Sequence, residues 1–453
     1  MRITDIRTDT ELADEARLFF GDDFNVISLD VNGRNYCVEI DGMKYAYDYS
    51  DSIYDIIPNE HILRRLDKIA LYDALSAHTR REMPWGALTG VRPTKLFYEC
   101  LSRGKSLDLS AKIMRDVYRV SAERAEIIKR IVNAQKGKVV FPPEFINLYV
   151  HVPYCTTRCT YCSFVSSPIG KNIEQSKKYA ELLCDEISKS VEFLRESGKK
   201  ILSVYIGGGT PTALDDLSFE KLLSCIDANG LEYTCEAGRP DTITERKADI
   251  MKAYGVTRVC VNPQTLNDNT LKAIGRNHGS ADFFGAYKIV EGKGFDINCD
   301  LIAGLENETE EDFIASFEGI KKLGPQNITV HSLAKKNGSV IRYDAGENEN
   351  ASSMTDYALK NLGSYRPYYL YRQKRQACNL ENIGFSLVGK ECVNNITTME
   401  ETVGVMACGA GAISKAIFDG KIVRFANMRD ISLYIERYNE KLAAKLSCFS
   451  DIN

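Results

Sequence analysis

Between residues 146 and 330 the chain repeatedly switches between two periodicities. Short apolar runs occur at Ile146–His151, Ile201–Ile206, Leu231–Glu236, Thr257–Val261, Asp296–Leu301 and Asn327–Val330. Between them lie stretches with apolar residues at helical spacing: 173–194, 219–228, 243–253, 269–273 with 281–292, and 310–322. Short apolar runs bounded by turn residues read as buried strands. Strand–helix alternation of this kind demands a parallel sheet, because each crossover must return right-handed. Six units are two short of a closed eight-unit barrel. The expected fold is therefore α/β: a curved, partial (β/α)6 TIM-like barrel whose open side is covered by the rest of the chain.

In such folds the chemistry lies at the C-terminal ends of the strands. The first strand runs into Pro153, which cannot donate to a ladder, and then into a loop carrying Cys155, Cys159 and Cys162. Thiolates repel one another unless a cation neutralises them, so this crowding points to a metal. Zinc sites usually close with four ligands, often as two separated C-x2-C pairs. No second pair is present, and His151 lies inside the strand, where it fits a Cys3His set poorly. An iron–sulfur cubane normally takes four cysteines. Three on one loop leave an iron with a free position, and this reading uses all three thiols. Three unrelated buried thiols are the structural alternative.

Composition narrows the class. At 453 residues, 44% hydrophobic and 26% charged, the chain is long enough for two or three domains of an ordinary globular protein. A net charge of -4 provides no broad basic surface, so no nucleic-acid partner is expected. The 14 cysteines form no secreted disulfide pattern; Cys225, Cys235, Cys260 and Cys299 stand alone and read as small buried hydrophobes. The N-terminal stretch is too charged for a signal peptide, and no apolar run reaches the roughly 18 residues of a membrane span. A reduced cytoplasm is the expected location.

Residues 1–140 read as a separate α+β domain. Asn25–Ser50 alternates around Asn32-Gly33 and Asp41-Gly42, which predicts a three-stranded meander. A helix is expected over 60–81, a turn with Gly90 ahead of a helix starting at Pro93, and further helices over 109–118 and 122–135. Trp85, the one tryptophan, reads as a core plug, and 136–144 as a linker. After the core (146–333), residues 334–453 form a C-terminal covering segment. It holds an expected mobile loop over 334–355, a tyrosine-rich basic run from Tyr365 to Phe385, a small-residue run from Gly404 to Ser414, and a terminal helix from about 430 to 446.

Supporting motifs follow the other strands. Gly207, Gly208, Gly209 and Thr210 follow the second, where glycines let a ligand approach the backbone and expose N–H donors; a tight βα turn is the plainer reading. Glu236, Gln264 and Asp300 sit at or just past strand ends, Arg276 lies downstream, and Ile302 and Ala303 continue the fifth strand. Singly, each is as compatible with a structural role; their shared placement lifts the group.

The C-x3-C-x2-C spacing, with Tyr161 before the last cysteine, resembles the radical S-adenosylmethionine (SAM) superfamily. The resemblance implies that the three cysteines hold a [4Fe-4S] cluster whose open iron is chelated by SAM. By it, the glycine motif and Glu236 hold the methionyl amino group, Gln264 and Asp300 face the ribose, Arg276 suits the carboxylate, and Ile302 and Ala303 lie along the adenine. YVHVPYC, GGGTPT, GRNH, DLIAGL and GAGAIS are similar to the oxygen-independent coproporphyrinogen III oxidase family, and WGALTGVRPTKL, VHSLAKKNGS and YYLYRQK to its HemZ-type branch. That likeness spans nearly the whole chain. It implies oxidative decarboxylation of coproporphyrinogen III propionates to vinyl groups, with a flavodoxin- or ferredoxin-like electron donor. Tyr149 and His151 match family positions beside the cluster, and a satisfied strand aromatic and histidine is their structural alternative.

Departures concern the substrate. Phe164 stands where the best-characterised oxidases carry a further cysteine, which the haem-chaperone branch also lacks, and Asn262-Pro263 stand where the family usually has a glycine and a small residue. Arg366, Arg372, Lys374 and Arg375, with Lys390 nearby, form a candidate tetrapyrrole-carboxylate set or a solvated face. Haem carriage, or another radical reaction on a tetrapyrrole, is the competing expectation.

Overall fold

The computed structural model describes residues 2–3, 5–58, 61–89, 92–334, 350–373, 379–418 and 421–450. The first sheet is the expected meander, β2 (Ile27–Asn32), β3 (Asn35–Ile40) and β4 (Met43–Asp48), with β1 (Arg2–Ile3) added antiparallel to β2. Positive φ at Asp41 and Gly42 makes the second tight turn. One face, with Leu29, Tyr36 and Val38, is buried. Helix α1 (Thr10–Phe20), which the sequence reading passed over, is capped by Asp9, whose carboxylate accepts from the Glu11 and Leu12 N–H groups. Helices α2 (Ile62–Thr79), α3 (Pro93–Ser102), α4 (Leu107–Asp116) and α5 (Ala122–Ala134) follow, with Pro93 in the first turn of α3 as expected. Gly90 lies outside the described residues.

The predicted alternation is present. Strands β5 (Phe145–Val152), β8 (Lys200–Gly208), β9 (Glu232–Cys235), β10 (Arg258–Cys260), β11 (Asp296–Ala303) and β12 (Asn327–Ser332) pair in chain order, all parallel. Helices α6 (Ile173–Glu196), α7 (Asp216–Ser224), α8 (Glu245–Ala253), α9 (Asp268–Ala273), α10 (Ser280–Gly292) and α11 (Glu310–Leu323) form the crossovers. A two-residue pair, β6 (Tyr154–Cys155) with β7 (Ser167–Pro168), brackets the cysteine loop.

The C-terminal segment extends this sheet as well as covering it. β15 (Gly404–Cys408) pairs parallel with β5, giving a seventh parallel strand, and β16 (Ile413–Phe418) and β17 (Lys421–Ala426) continue antiparallel. On the other side β14 (Asn382–Ser386) adds antiparallel to β12, and β13 (Arg366–Tyr371) antiparallel to β14. The result is an eleven-stranded mixed sheet in which β5 and β12 each pair with a C-terminal strand and not with one another. The loop expected over 334–355 is shorter than predicted: α12 (Asn350–Lys360) starts inside it, and 335–349 lie outside the described residues. The expected terminal helix is two, α14 (Ile431–Glu436) and α15 (Tyr438–Ser450), and α13 (Val393–Glu400) precedes β15.

The small-residue run has a packing reason. Gly409 (φ +102) passes so close to β5 that a Cβ would lie 2.4 Å from the His151 carbonyl oxygen. Its N–H donates to Glu186 at 2.8 Å, and that carboxylate also takes Lys445 of α15 at 2.6 Å. One large apolar cluster runs from Leu29 and Tyr36 through Trp85 to Leu148, Ile206 and Leu301, with smaller ones beside it. Among the described residues no helix is long and apolar enough to cross a membrane.

Candidate active site

The three thiols stand on a loop anchored from both sides. β5 ends at Val152, Pro153 follows, and the Ser167 N–H donates to the Pro153 carbonyl at 2.9 Å. Across the sheet, Thr160 N–H reaches the Ile274 carbonyl (3.1 Å) and the Thr157 hydroxyl the Gly275 carbonyl (2.9 Å). Gly275 has φ +77, and a Cβ would approach the Arg158 carbonyl oxygen at 3.3 Å, so a glycine suits this close contact.

Cys155, Cys159 and Cys162 line one cavity of about 340 Å³ together with Gly208, Gly209, Thr210, Glu236, Gln264, Arg276, Asp300 and Ile302. Burial pushes the Cys155 thiol up to about 11, with the Thr210 hydroxyl, 3.5 Å from its Sγ, opposing the shift. A thiol so placed becomes a ligand when a cation displaces its proton. Among the described residues no three His, Cys, Asp or Glu side chains converge as the ligands of a single ion do. Three thiols lining one cavity are the donor chemistry that an iron–sulfur cluster takes.

Four of the expected SAM contacts, Glu236, Gln264, Arg276 and Asp300, are polar residues lining the cavity. Glu236 accepts from the Tyr205 hydroxyl at 2.5 Å; burial raises its carboxyl to about 7, against the pull of that hydrogen bond. Gln264 adopts φ +69 beside β11, with its N–H on the Asp300 carbonyl at 3.0 Å, and its buried Oε1 has no hydrogen-bond partner. Asp300 accepts from Asn298 Nδ2 at 2.7 Å and lies 3.5 Å from His331 Nε2. Arg276 donates to the Asn262 carbonyl (2.6 Å), the Gly238 carbonyl (3.3 Å) and the Tyr161 hydroxyl (3.0 Å), leaving its buried Nε unpartnered. Most of its fork thus ties the cysteine loop to the strand ends. Ile302 packs with Leu271, Ile274 and Tyr161 in an apolar patch beside the loop.

Other expected residues line the cavity without turning their donors into it, or lie behind its wall. Gly209 and Thr210 direct their N–H groups to the Val152 and Tyr154 carbonyls at 2.8 and 2.6 Å, so these two donors, expected to face a ligand, instead bind the loop to β8. Gly208 (φ +108) makes room for the His151 ring, which would sit 2.8 Å from a Cβ, and Gly207 for Glu236, at 2.9 Å. Gly207, Ala303, Tyr149 and His151 do not line the cavity. Burial lowers His151 to about 4, so the ring is neutral; Nε2 donates to the Val165 carbonyl (3.3 Å) and Nδ1 accepts from the Tyr149 hydroxyl (3.1 Å). Tyr149 stacks on Tyr205, 6.2 Å between centroids, and so backs the residue that holds Glu236.

Of the proposed basic set, Lys374 and Arg375 lie outside the described residues. Arg372 is engaged with the Leu88 carbonyl and Asn379 and stacks on Trp85 at 5.1 Å, and Lys390 pairs with Asp296 at 2.7 Å. The sequence reading passed over His331, Tyr371 and Tyr205, which line the cavity, and Arg239, whose signal was its place beside Glu236 in EAGRP.

Residues 149–319 match the family model described as the radical SAM superfamily. Over 401 residues, 83% of this chain and 79% of the relative, the sequence is 37% identical to the oxygen-independent coproporphyrinogen-III oxidase-like protein HemZ of Bacillus subtilis (strain 168). The chain belongs to this radical SAM family. With membership come its cofactors, a [4Fe-4S] cluster and SAM. The heme chaperone HemW of Haemophilus influenzae is 26% identical over 322 residues, 67% of this chain and 80% of its own. Coproporphyrinogen III oxidase (HemN) from Escherichia coli superposes with a TM-score of 0.53 at 20% identity, over 68% of this chain and 72% of that one, a likeness in fold.

Proposed function

We propose that this radical SAM protein is an enzyme that converts propionate side chains of coproporphyrinogen III to vinyl groups by oxidative decarboxylation. The observation that carries the reading is the single cavity running from the three thiols past Glu236 and Asp300 to His331 and Tyr371. Cofactor and substrate can share it, so reacting atoms meet without crossing solvent. When bound at Cys155, Cys159 and Cys162, the cluster with SAM would supply hydrogen-atom abstraction, directed in this reading at the propionate β-carbon.

The chain's own groups bind, orient and exclude water. Cys155, Cys159 and Cys162 hold the cluster. Glu236, steadied by Tyr205, takes the methionyl ammonium; Gln264 Oε1 and Asp300 take ribose hydroxyls; Arg276 offers its Nε to the carboxylate; Ile302 covers the adenine. Tyr149 and His151 act from behind as positioning residues. Hydrogen-atom abstraction needs no general base, consistent with a neutral, internally satisfied His151. The partial (β/α)6 barrel belongs to the same reading, supported by a cavity wall that draws residues from β8 through β13. So do the division at 1–140, 146–333 and 334–453, a flavodoxin- or ferredoxin-like electron donor, and a reducing cytoplasm, with which cysteines that form no disulfide among the described residues are compatible.

A second reading is haem carriage, which the HemW relatives favour, as does Phe164, 59% exposed at the cavity rim like a plate for a flat macrocycle. An anaerobic assay with coproporphyrinogen III, SAM and a reductant separates the two. The enzyme yields 5′-deoxyadenosine, a monovinyl intermediate and protoporphyrinogen IX by mass; a carrier binds haem stoichiometrically and forms no vinyl product.

A further inference from the structure

Arg239 lies just past β9, ahead of the helical turn Pro240–Thr242, with its side chain 3% exposed. Its Nε and Nη2 grip Asp241 at 3.0 and 3.2 Å. Its Nη1 donates to Thr157 Oγ1 at 3.0 Å and to Cys159 Sγ at 3.5 Å. Asp241 also accepts from Thr156 Oγ1 at 2.9 Å and lies 3.6 Å from His278 Nδ1. One ion pair therefore ties the cysteine loop to the third strand end, and its cation rests against a ligand sulfur. A planar fork anchored on one side by a carboxylate presents its remaining N–H groups in fixed directions.

Hydrogen bonds to the sulfurs and the charge around an iron–sulfur cluster set the potential at which it accepts an electron. We infer that Arg239, locked by Asp241, is a positioning residue that raises the reduction potential of the cluster held by Cys155, Cys159 and Cys162. The step concerned is the addition of one electron from an external reductant, with no bond made or broken. The inference rests on the three thiols holding that cluster and is independent of which tetrapyrrole reaction follows.

The test is a redox titration of the anaerobically reconstituted full chain with dithionite, followed by the paramagnetic resonance signal of the reduced cluster. Arg239→Gln keeps wild-type iron and sulfide content, and its midpoint moves to more negative potential. Arg239→Lys, which retains the charge and loses the fork, moves it the same way by less. An unchanged midpoint in both variants at full iron content overturns the inference. If Arg239→Gln loses iron or melts, Arg239→Lys carries the test, and loss of iron or melting there too overturns it in favour of a structural prop. A wild-type protein that assembles no four-iron cluster, identified by iron analysis alone, overturns the inference together with the cofactor site.

Discussion

Arg239 and Arg124 are both nearly sealed from solvent and both pair with carboxylates, yet they serve opposite ends of the molecule. Arg124, on α5, meets Asp356 at 2.9 Å and Glu381 at 3.0 Å, each from the C-terminal segment. Glu381 also accepts from the Trp85 indole at 2.7 Å, and Arg372 stacks on that ring. Two carboxylates neutralise this guanidinium inside a closed junction between the N-terminal helices and the covering segment. Arg239 has one carboxylate, and its remaining donors face the thiol loop and the cavity. The same ion-pair chemistry is an anchor where it is closed on all sides and a source of directed charge where one side opens onto ligands.

Breaking each region in turn sharpens the contrast. Cys159→Ala has the largest effect: cluster absorbance and SAM cleavage fall to background while the melting temperature of the apoprotein stays near wild type, because the rim carries chemistry more than stability. Glu381→Gln behaves in the reverse sense. The change leaves the buried Arg124 with Asp356 as its remaining close carboxylate, and denaturant titration reports a loss of about 3 kcal/mol, with cluster content retained below the transition.

The two regions also divide in their response to pH. Glu15, fully buried on α1 beside the junction, is raised to about 7 by burial, against the Thr89 hydrogen bond and the nearby Lys68 and Arg372 charges. Its folded value lies above its unfolded one, so the folded state holds the proton more tightly. The associated stability is complete below the ordinary carboxyl range and is lost as pH rises through about 7. Glu15→Gln flattens that slope and stabilises the protein at pH 8 by about 1–3 kcal/mol, read by urea unfolding at several pH values. At the rim, Glu236 is also raised to about 7, and only its ionised form pairs with an ammonium. SAM affinity, measured by equilibrium dialysis, rises as pH climbs through that value, and Glu236→Gln removes the dependence. The smallest expected effect is Tyr149→Phe. It deletes one hydrogen bond to His151 behind the wall, costs about 1 kcal/mol, and lowers turnover only a few-fold.

The legible part of the site was whatever local sequence dictates. Cys155, Cys159 and Cys162 lie within one turn-rich loop, so their company needed no long-range contact to be inferred. Glu236, Gln264 and Asp300 could be grouped because parallel βα units bring successive strand ends to one edge. Tyr149 and His151 show where this stops. Alternation along β5 assigns them a common face, but not whether that face meets the cavity or the backs of Tyr205 and Gly208. Arg239 was half hidden: its place in EAGRP puts it at a strand end with Asp241 two residues on, but nothing local announces a cysteine some 80 residues earlier as its other partner.

By itself the sequence determined the period of each element, the turn chemistry and the thiol spacing, and with them a parallel α/β core carrying a cluster loop. Tertiary structure alone decided that β15 pairs with β5, that β14 pairs with β12, and that Trp85 closes a junction on Glu381. The physical reason is that strand pairing and buried ion pairs are selected by which surfaces remain uncovered once the core has formed, and that competition is global. A strand's own residues specify that it must pair; its neighbour is set by the edges that the rest of the fold leaves open.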